Sequence, residues 1–317
     1  MKIYFSIFFI IVYNCLYSQT SYDNYNWLIY AGMLEKKKAN FKKANLYFEK
    51  AFKYKEPQSS TDILNYAVVN VKLNKKNKAI EIIKSSIVKL YAPKEYILSF
   101  KDFKDLEKEN SYKEIINNYN HYENEFYRNL PSPSVYFTVR ELTIKDQLVR
   151  ETGGYVAKCD CFINGEKKVK YEFDIIKKQD SLNINELIDI TKRLGYQSRG
   201  WVLLWHQRGD KYATNNYVWQ FFKPLIKKEI ENGNVERSFF ARFDDEAAIN
   251  YDSKGQIYGT FENGEIADIE DVDKRRIEVS LPPLYYDYLI YGSRLPVNYK
   301  INEKKFYETI YNKVKDL

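Results

Sequence analysis

Small and bulky apolar residues recur in the N-terminal third of the chain at a spacing of about 35 residues, the period of a helix-pair repeat. The first set is Gly32, Ala44, Phe48 and Ala51, and the second set is Ala67, Ala79, Ile83 and Ser86. Small residues at these places let two helices cross closely, while the larger ones fill the space between the helices. The spacing therefore predicts stacked helix pairs over residues 20–130, followed by one more amphipathic helix at Ser111–Asn129.

The run from Asn40 to Ala51 closely resembles the second helix of a tetratricopeptide (TPR) repeat. The second copy, about 35 residues later, departs further from that pattern. We expect two TPR-like repeats. The resemblance implies a module that contacts a protein or peptide, and the lysine runs of this region favour an acidic partner.

Residues 1–19 have the parts of a secretory signal peptide. Lys2 supplies the positive charge, Ile3–Val12 supplies the apolar stretch, and Ser18 stands at the cleavage position. We therefore expect an exported protein, periplasmic or extracellular, without stable membrane insertion after cleavage; a retained N-terminal anchor is the alternative. A lipid anchor at Cys15 is not expected, because bulky Tyr13 and Asn14 precede it.

The linker Leu130–Ser134 contains two prolines and divides the chain into a repeat region, 20–130, and a second domain, 131–317. In the second domain, two pairs of short strands are predicted around Asn-Gly turns. The pairs are Tyr155–Ile163 with Val169–Ile175, and Gln256–Phe261 with Glu265–Ile269. The predicted fold class is α+β and predominantly helical: an α–α repeat module followed by a mixed α+β domain with short β-hairpins.

The chain carries 50 basic and 43 acidic side chains, a formal net charge of +7. The excess lies in residues 20–130, which hold 20 basic and 14 acidic side chains, whereas residues 131–317 hold 29 of each. A nucleic-acid surface combines clustered basic residues with stacking aromatic residues. Here the lysines cluster at predicted turns and the aromatic residues have core spacings, so no nucleic-acid partner is expected.

Several polar residues in the second domain are candidates for chemistry. Asp146 and Arg150 are four residues apart on a predicted helix and can pair. His206 ends an apolar helical segment, where a histidine serves either as a base or as a hydrogen-bonded core residue. Gln256, Tyr258 and Thr260 alternate on a predicted strand, as the wall of a pocket or as a solvated edge. Arg276 could bind an anion or pair with nearby aspartates.

No metal site or cofactor is predicted. Cys159 and Cys161 are two apart, a separation at the limit of disulfide geometry, and the histidines His121 and His206 are distant in sequence. The chain has no Gly-x-Ser-x-Gly nucleophile motif and no His-Glu-x-x-His zinc motif. The motifs therefore leave open whether the protein is an enzyme.

From about Leu142 to Tyr288 the chain resembles the uncharacterised domain-of-unknown-function family 6624. The residues that carry the resemblance are Asp146, Gln147 and Arg150; Trp201–His206; Gln256, Tyr258, Gly259 and Thr260; and Val272, Asp273, Arg275, Arg276, Leu281, Pro283 and Leu284. There are departures: an Asp-Arg pair of the family is Asp245-Glu246 here, which reverses one charge. The resemblance gives no activity, but it implies that the matched polar residues share a pocket.

These observations lead to three hypotheses. The first is an exported protein with a TPR-like interaction module and a ligand-binding domain with a polar pocket. The second is a hydrolase or transferase with His206 as general base, Asp146 orienting it and an arginine holding an anion. The third treats all these polar groups as structural ties. The residues assigned to the site are His206 and Asp146 as catalytic, and Gln147, Arg150, Gln256, Tyr258, Thr260 and Arg276 as ligand-binding.

Overall fold

The computed structural model describes residues 21–157, 162–163, 166–167, 169–208, 216–252, 254–262 and 264–317. The predicted signal peptide, with Cys15, and the pair Cys159 and Cys161 lie outside these residues. Within them, no helix is both long enough and apolar enough to cross a membrane.

Helices make up almost all of the regular structure in the described residues. The first eight are α1 (21–37), α2 (Phe41–Tyr54), α3 (Ser60–Lys72), α4 (Lys76–Leu90), α5 (Lys94–Ser99), α6 (Asn110–Asn117), α7 (Tyr119–Asn129) and α8 (Pro133–Ala157). The remaining seven are α9 (Val169–Leu194), α10 (Trp201–His206), α11 (Tyr217–Glu231), α12 (Ala241–Ala247), α13 (Val272–Glu278), α14 (Leu284–Tyr291) and α15 (Glu303–Val314). Short 3₁₀ turns cover Lys101–Leu106, Ser198–Gly200, Arg237–Phe240 and Ile269–Asp271, and a π turn covers Ala248–Asp252.

The predicted mixed α+β domain is wrong, because the fold is helical. The only paired strands in the described chain are two residues long, β1 (Phe162–Ile163) and β2 (Glu166–Lys167). The predicted strand Val169–Ile175 is instead the start of the 26-residue helix α9. Alternation over seven residues was a weaker signal than the helical spacing of Ile184, Leu187, Ile188 and Thr191, all buried, further along the same helix.

The second predicted hairpin, Gln256–Phe261 with Glu265–Ile269, is also wrong. Here only an isolated bridge joins Gln256 to Ile266. The backbone N–H groups of Ile257, Tyr258 and Thr260 all donate to the carboxylate of Asp245. Successive N–H groups that converge on one side chain cannot form the ladder of a β-strand, whose N–H groups point to a neighbouring strand. A contact from a distant aspartate therefore replaced the predicted sheet.

The chain divides into two compact units. The first, called the repeat unit here, comprises Met1–Pro131, Glu231–Asp245 and Lys254–Leu317. The second, called the long-helix unit, comprises Ser132–Ile230 and Glu246–Ser253. The first boundary lies in the proline-containing linker, and the C-terminal helices α13, α14 and α15 belong to the repeat unit.

The repeat unit contains a helical repeat built from α1 with α2 and α3 with α4. The two inter-helix turns each contain a residue with positive φ, Ala39 and Asn74, and these are separated by the repeat period. A Cβ atom at Gly32 would lie 3.2 Å from the ring of Phe48, so the small residue permits the close crossing of α1 and α2. The corresponding residues of the second pair, Ala67 and Ile83, are fully buried. The predicted helical repeat is confirmed.

The first helix of each pair is covered by other parts of the repeat unit. No residue from 21 to 36 is exposed, and every residue from Ile63 to Val71 is buried. On α1, Asp23 pairs with Arg237 and accepts a hydrogen bond from Ser280. A helix that is buried on every side belongs to the core. The more exposed helices of the repeat are therefore α2 and α4.

The long-helix unit positions one end of α10 against two long helices. In it α8 packs against α9, and α10 contacts both. Val139 and Leu142 of α8, Leu187 of α9, and Leu203 and Leu204 of α10 are buried. This packing fixes where the last residue of α10, His206, lies relative to the polar residues of α8.

Candidate functional site

Five polar side chains of the long-helix unit come together where α8, α9 and α10 meet, and we call them the histidine cluster. They are Asp146, Gln147 and Arg150 on α8, Asp180 on α9 and His206 at the end of α10. Four of the five were predicted from the sequence to belong to one site. Asp180 was not, because it lies 30 residues after Arg150 and no short-range spacing connects the two.

Asp146 is the buried member of the cluster, with a side chain that is 1 % exposed. Its Oδ1 accepts a hydrogen bond from Arg150 Nη1 at 2.8 Å, as the four-residue spacing predicted. Its Oδ2 accepts one from Gln147 Nε2 at 2.6 Å. Both carboxylate oxygens are thus held in place by neighbours on the same helix.

Arg150 joins the two carboxylates of the cluster. While Nη1 donates to Asp146, Nη2 donates to both oxygens of Asp180, at 2.8 and 2.9 Å. The single positive charge of Arg150 is therefore already paired with two carboxylates, and both of its Nη atoms donate hydrogen bonds. An anionic ligand would have to displace one of the carboxylates, so the geometry does not favour Arg150 as an anion holder.

His206 faces Asp146 as a neutral imidazole. Its Nε2 lies 3.4 Å from Asp146 Oδ2, longer than the 2.7–2.9 Å typical of a charge-assisted hydrogen bond. Burial, followed by the positive charges of Arg150 and Arg208, lowers the pKa of His206 from 6.5 to about 4, and Asp180 only partly opposes this. At neutral pH the ring can therefore both donate and accept a hydrogen bond.

The cluster holds two carboxylates and one arginine that pairs with both. Burial raises the pKa of Asp146 and of Asp180, and Arg150 opposes both shifts. When both carboxylates are ionised and His206 is neutral, Arg150 offsets only one of them. Arg208, the other nearby cation, donates Nε to Glu246 Oε1 at 3.0 Å. Since the side chains of Arg150, Asp180 and His206 are 15–21 % exposed, a ligand from solvent can reach them.

The other predicted residues lie in the repeat unit: Arg276 on α13, and Gln256, Tyr258 and Thr260 in a segment that we call the Asp245 loop, residues 256–261. Asp245 is fully buried. Its Oδ1 accepts from the N–H groups of Ile257 and Tyr258, and its Oδ2 accepts from the N–H and the hydroxyl of Thr260. Thr260 was predicted to bind a ligand, but its hydroxyl is used for this hydrogen bond inside the fold.

Gln256 closes the Asp245 loop. Its side chain is fully buried, donates from Nε2 to the carbonyl of Phe261 at 3.1 Å and accepts from the Phe261 N–H at 2.8 Å. At Gly264 the backbone φ is +140°, and a Cβ atom there would lie 2.9 Å from Gln256 Nε2, so glycine is favoured at this position. This pairing leaves the predicted ligand-binding amide occupied by the backbone.

Arg276 is a structural tie. It is 2 % exposed and donates Nε to the carbonyl of Pro282 at 2.6 Å, Nη1 to that of Tyr258 at 3.0 Å and Nη2 to Asp287 Oδ2 at 2.5 Å. Its anion-holding role is not favoured, because each of its three nitrogens already donates. Among the predicted residues of the repeat unit, only the half-buried ring of Tyr258 is not part of these ties.

Asp245, the centre of the loop, was missing from the predicted site residues. The signal that could have found it is the resemblance itself, in which Asp245 fills the aspartate of an Asp-Arg pair ahead of the Gln-x-Tyr-Gly-Thr segment. Its partner Glu246, the charge reversal in that pair, belongs to the long-helix unit and pairs there with Arg208. The carboxylate of Glu246 thus has a cationic partner within its own unit.

The described part of the repeat unit contains cavities of different sizes. One, of about 630 Å³, lies beside α13 and α15 and is lined by none of the predicted site residues. Another, of about 250 Å³, is lined by Thr260 and Arg276 among others. Within the described residues, no three histidine, cysteine, aspartate or glutamate side chains are grouped as ligands of a metal ion.

Comparison of the chain with protein-family models, with curated proteins and with solved structures found no match.

Proposed function

We propose that the protein binds a small ligand at the histidine cluster, and that this ligand donates hydrogen bonds or carries a positive charge. The supporting observation is the neutral His206 beside two carboxylates that share a single arginine. An acceptor-rich, partly exposed cluster attracts hydrogen-bond donors, and when both of its carboxylates are ionised it also attracts cations and repels anions. The proposal keeps the predicted polar site but reverses the ligand charge that the arginines had suggested.

A hydrolase or transferase with His206 as general base is the second candidate. The contact between Asp146 Oδ2 and His206 Nε2 favours it, because a carboxylate in that position orients the ring. However, an efficient base has a pKa near the working pH, and burial holds the pKa of His206 at about 4. Ligand binding therefore suits the cluster better than proton abstraction does.

The proposal also includes the binding of a protein or peptide by the repeat unit. Because α1 and α3 are covered, we assign this contact to α2 and α4, whose exposed residues include Lys42, Lys53, Lys84 and Lys89. Such a surface favours an acidic protein or peptide. Export of the protein, guided by the signal peptide at residues 1–19, also remains part of the proposal.

NMR of the imidazole signals tests ligand binding, since the chain has only two histidines, His121 and His206. We expect ethanolamine, and more weakly glycerol, to shift the His206 signals without moving those of exposed His121. Acetate should move neither. A shift with acetate alone, or with none of the three probes, would contradict the proposal.

Asp180→Asn supplies the matched variant for this experiment. The substitution removes one of the two carboxylates while Asp146 remains beside Arg150, so we expect weaker binding of ethanolamine. Asp189→Asn, on the exposed side of the same helix α9, should bind like the wild type. Equal binding by all three proteins would show that the carboxylate of Asp180 does not attract the ligand.

A further inference from the structure

The cavity of about 630 Å³ in the repeat unit has the size of a ligand site, and we call it the α13–α15 cavity. It is lined by residues of α13 and α15, of the 3₁₀ turn Ile269–Asp271 and of the segment 298–302. Its volume equals that of about twenty water molecules in the liquid, a space that admits a tripeptide. No residue of the histidine cluster, of α2 or of α4 lines it, so a ligand bound here is distinct from those proposed above.

Hydrogen bonds within the repeat unit hold the walls of the cavity in place. The two oxygens of Asp273 accept from the N–H of Leu284 at 2.9 Å and from the hydroxyl of Tyr299 at 2.8 Å. Asn302 Oδ1 accepts from the N–H of Lys305 at 3.0 Å and so caps the start of α15. The cavity is therefore formed before a ligand arrives, which lowers the entropic cost of binding.

Part of the lining is apolar and is still reached by water. Phe306 is 4 % exposed, and Ile269 and Ile277 are half-buried. Ile301, within the segment 298–302, is 50 % exposed. An apolar side chain that covers such a surface removes it from water, which stabilises the complex by about 25 cal/mol per Å². The cavity therefore favours a ligand with an apolar side chain.

Seven charged side chains line the cavity, and three of them are already engaged. Asp273 is bonded through both oxygens, and Glu270 pairs with Lys300 at 3.3 Å. The other four make no ion pair with any residue that the structure describes. They are Asp271, Lys274, Glu278 and Lys305. The lining thus offers carboxylates and ammonium groups in equal number.

This balance of charges favours a ligand that carries both signs. A simple anion would be attracted by the lysines and repelled by the carboxylates, and a simple cation would meet the reverse. Lys305 lies in the first turn of α15 and Glu278 is the last residue of α13. At these places the helix dipoles favour a negative and a positive ligand group, respectively.

We propose that the α13–α15 cavity binds a short peptide with one apolar side chain and charges of both signs. The apolar side chain covers Phe306 and the neighbouring isoleucines. The carboxylate of the peptide pairs with Lys305, and its ammonium group pairs with Glu278. This site is separate from the histidine cluster, so either proposal can fail without the other.

Saturation-transfer NMR with the full chain tests the proposal, with the tripeptides Ala-Leu-Ala and Ala-Phe-Ala as probes. With free termini these peptides carry both charges at pH 7. We expect at least one of them to bind in the millimolar range. Acetylating the amino terminus and amidating the carboxyl terminus should weaken binding about fivefold, because both ion pairs are lost. Gly-Gly-Gly, which keeps the charges but has no apolar side chain, should bind more than about tenfold more weakly.

Lys305→Gln and Lys304→Gln supply a matched pair of variants on α15. Lys304 does not line the cavity, and its side chain is 87 % exposed. Both lysines are exposed, so both variants should keep the thermal stability of the wild type. Lys305→Gln should weaken binding of the tripeptide about two- to fivefold, the effect of one exposed ion pair, and Lys304→Gln should leave it unchanged.

The results that overturn the proposal are equally specific. The cavity is not a peptide site if neither tripeptide binds, or if free leucine binds as tightly as they do. Equal binding of the blocked peptide would refute recognition of the charges, and equal binding of Gly-Gly-Gly would refute the apolar contact. If Lys305→Gln and Lys304→Gln bind the tripeptide equally, the peptide does not occupy the α13–α15 cavity.

Discussion

The histidine cluster and the Asp245 loop are built from similar residues but differ in what satisfies them. Asp146 and Asp245 are both buried carboxylates. Asp245 is bonded mainly by backbone N–H groups and by one threonine hydroxyl, whereas Asp146 is bonded by the side chains of Arg150 and Gln147. The arginines differ in the same sense: Arg276 is 2 % exposed and donates mainly to carbonyl groups, while Arg150 is 21 % exposed and bridges two carboxylates.

This difference indicates that the Asp245 loop is part of the fold, whereas the histidine cluster is a candidate binding site. A carboxylate bonded to the backbone fixes the path of the chain, and replacing it leaves buried N–H groups without partners. A carboxylate bonded to partly exposed side chains can exchange those partners for a ligand. Residue types alone could not separate the two groups.

The largest effect is expected for Asp245→Ala. Three backbone N–H groups of the Asp245 loop would lose their acceptor, and each unsatisfied group costs about 1–3 kcal/mol. We therefore expect the free energy of unfolding to fall by at least about 3 kcal/mol, measured by urea denaturation.

The adjacent Asp244→Asn is the control for that variant. Burial, together with the charge of Asp245, raises the pKa of Asp244 to about 6, so its ionised form is unfavourable in the fold at pH 7. Asparagine should leave the stability unchanged or raise it. If Asp244→Asn destabilised the protein as much as Asp245→Ala, the specific role of Asp245 in the loop would be refuted.

A smaller difference is expected between two lysine substitutions. Arg276→Lys cannot maintain three diverging hydrogen bonds from a buried position, so we expect a loss of about 2–4 kcal/mol in the free energy of unfolding. Arg150→Lys, in the partly exposed histidine cluster, should cost about 1 kcal/mol. Similar losses in the two urea titrations would remove the proposed distinction between the two groups.

The smallest change in stability at pH 7 is expected for His206→Gln. The pKa of His206 is lowered by burial, so the unfolded chain takes up a proton below about 6.5 while the folded chain does not until about 4. The wild type therefore loses stability as the pH falls through this window. His206→Gln should lack this component of the loss, and the exposed-site variant His121→Gln should retain it. If His206→Gln and the wild type lost the same stability between pH 6.5 and 4, burial of a neutral His206 would be disproved.

The helix pairs of the N-terminal third were predicted correctly from the sequence. The helix pairs follow the predicted spacing, since this spacing depends on contacts between adjacent helices. Asp146 and His206 do lie together. The Asp245 loop was read as a strand because Gln256, Tyr258 and Thr260 alternate. Its path depends on a carboxylate more than ten residues away, a contact that no local pattern encodes.

The pKa of His206 tests the central claim most directly. A pH titration of the imidazole signals should give a value of about 4 in the wild type. In Arg150→Gln the pKa should rise, because the positive charge that lowers it is removed while Asp180 remains nearby. A pKa near the ordinary 6.5 in both proteins would contradict a neutral histidine held within a carboxylate cluster, and with it the ligand site proposed there.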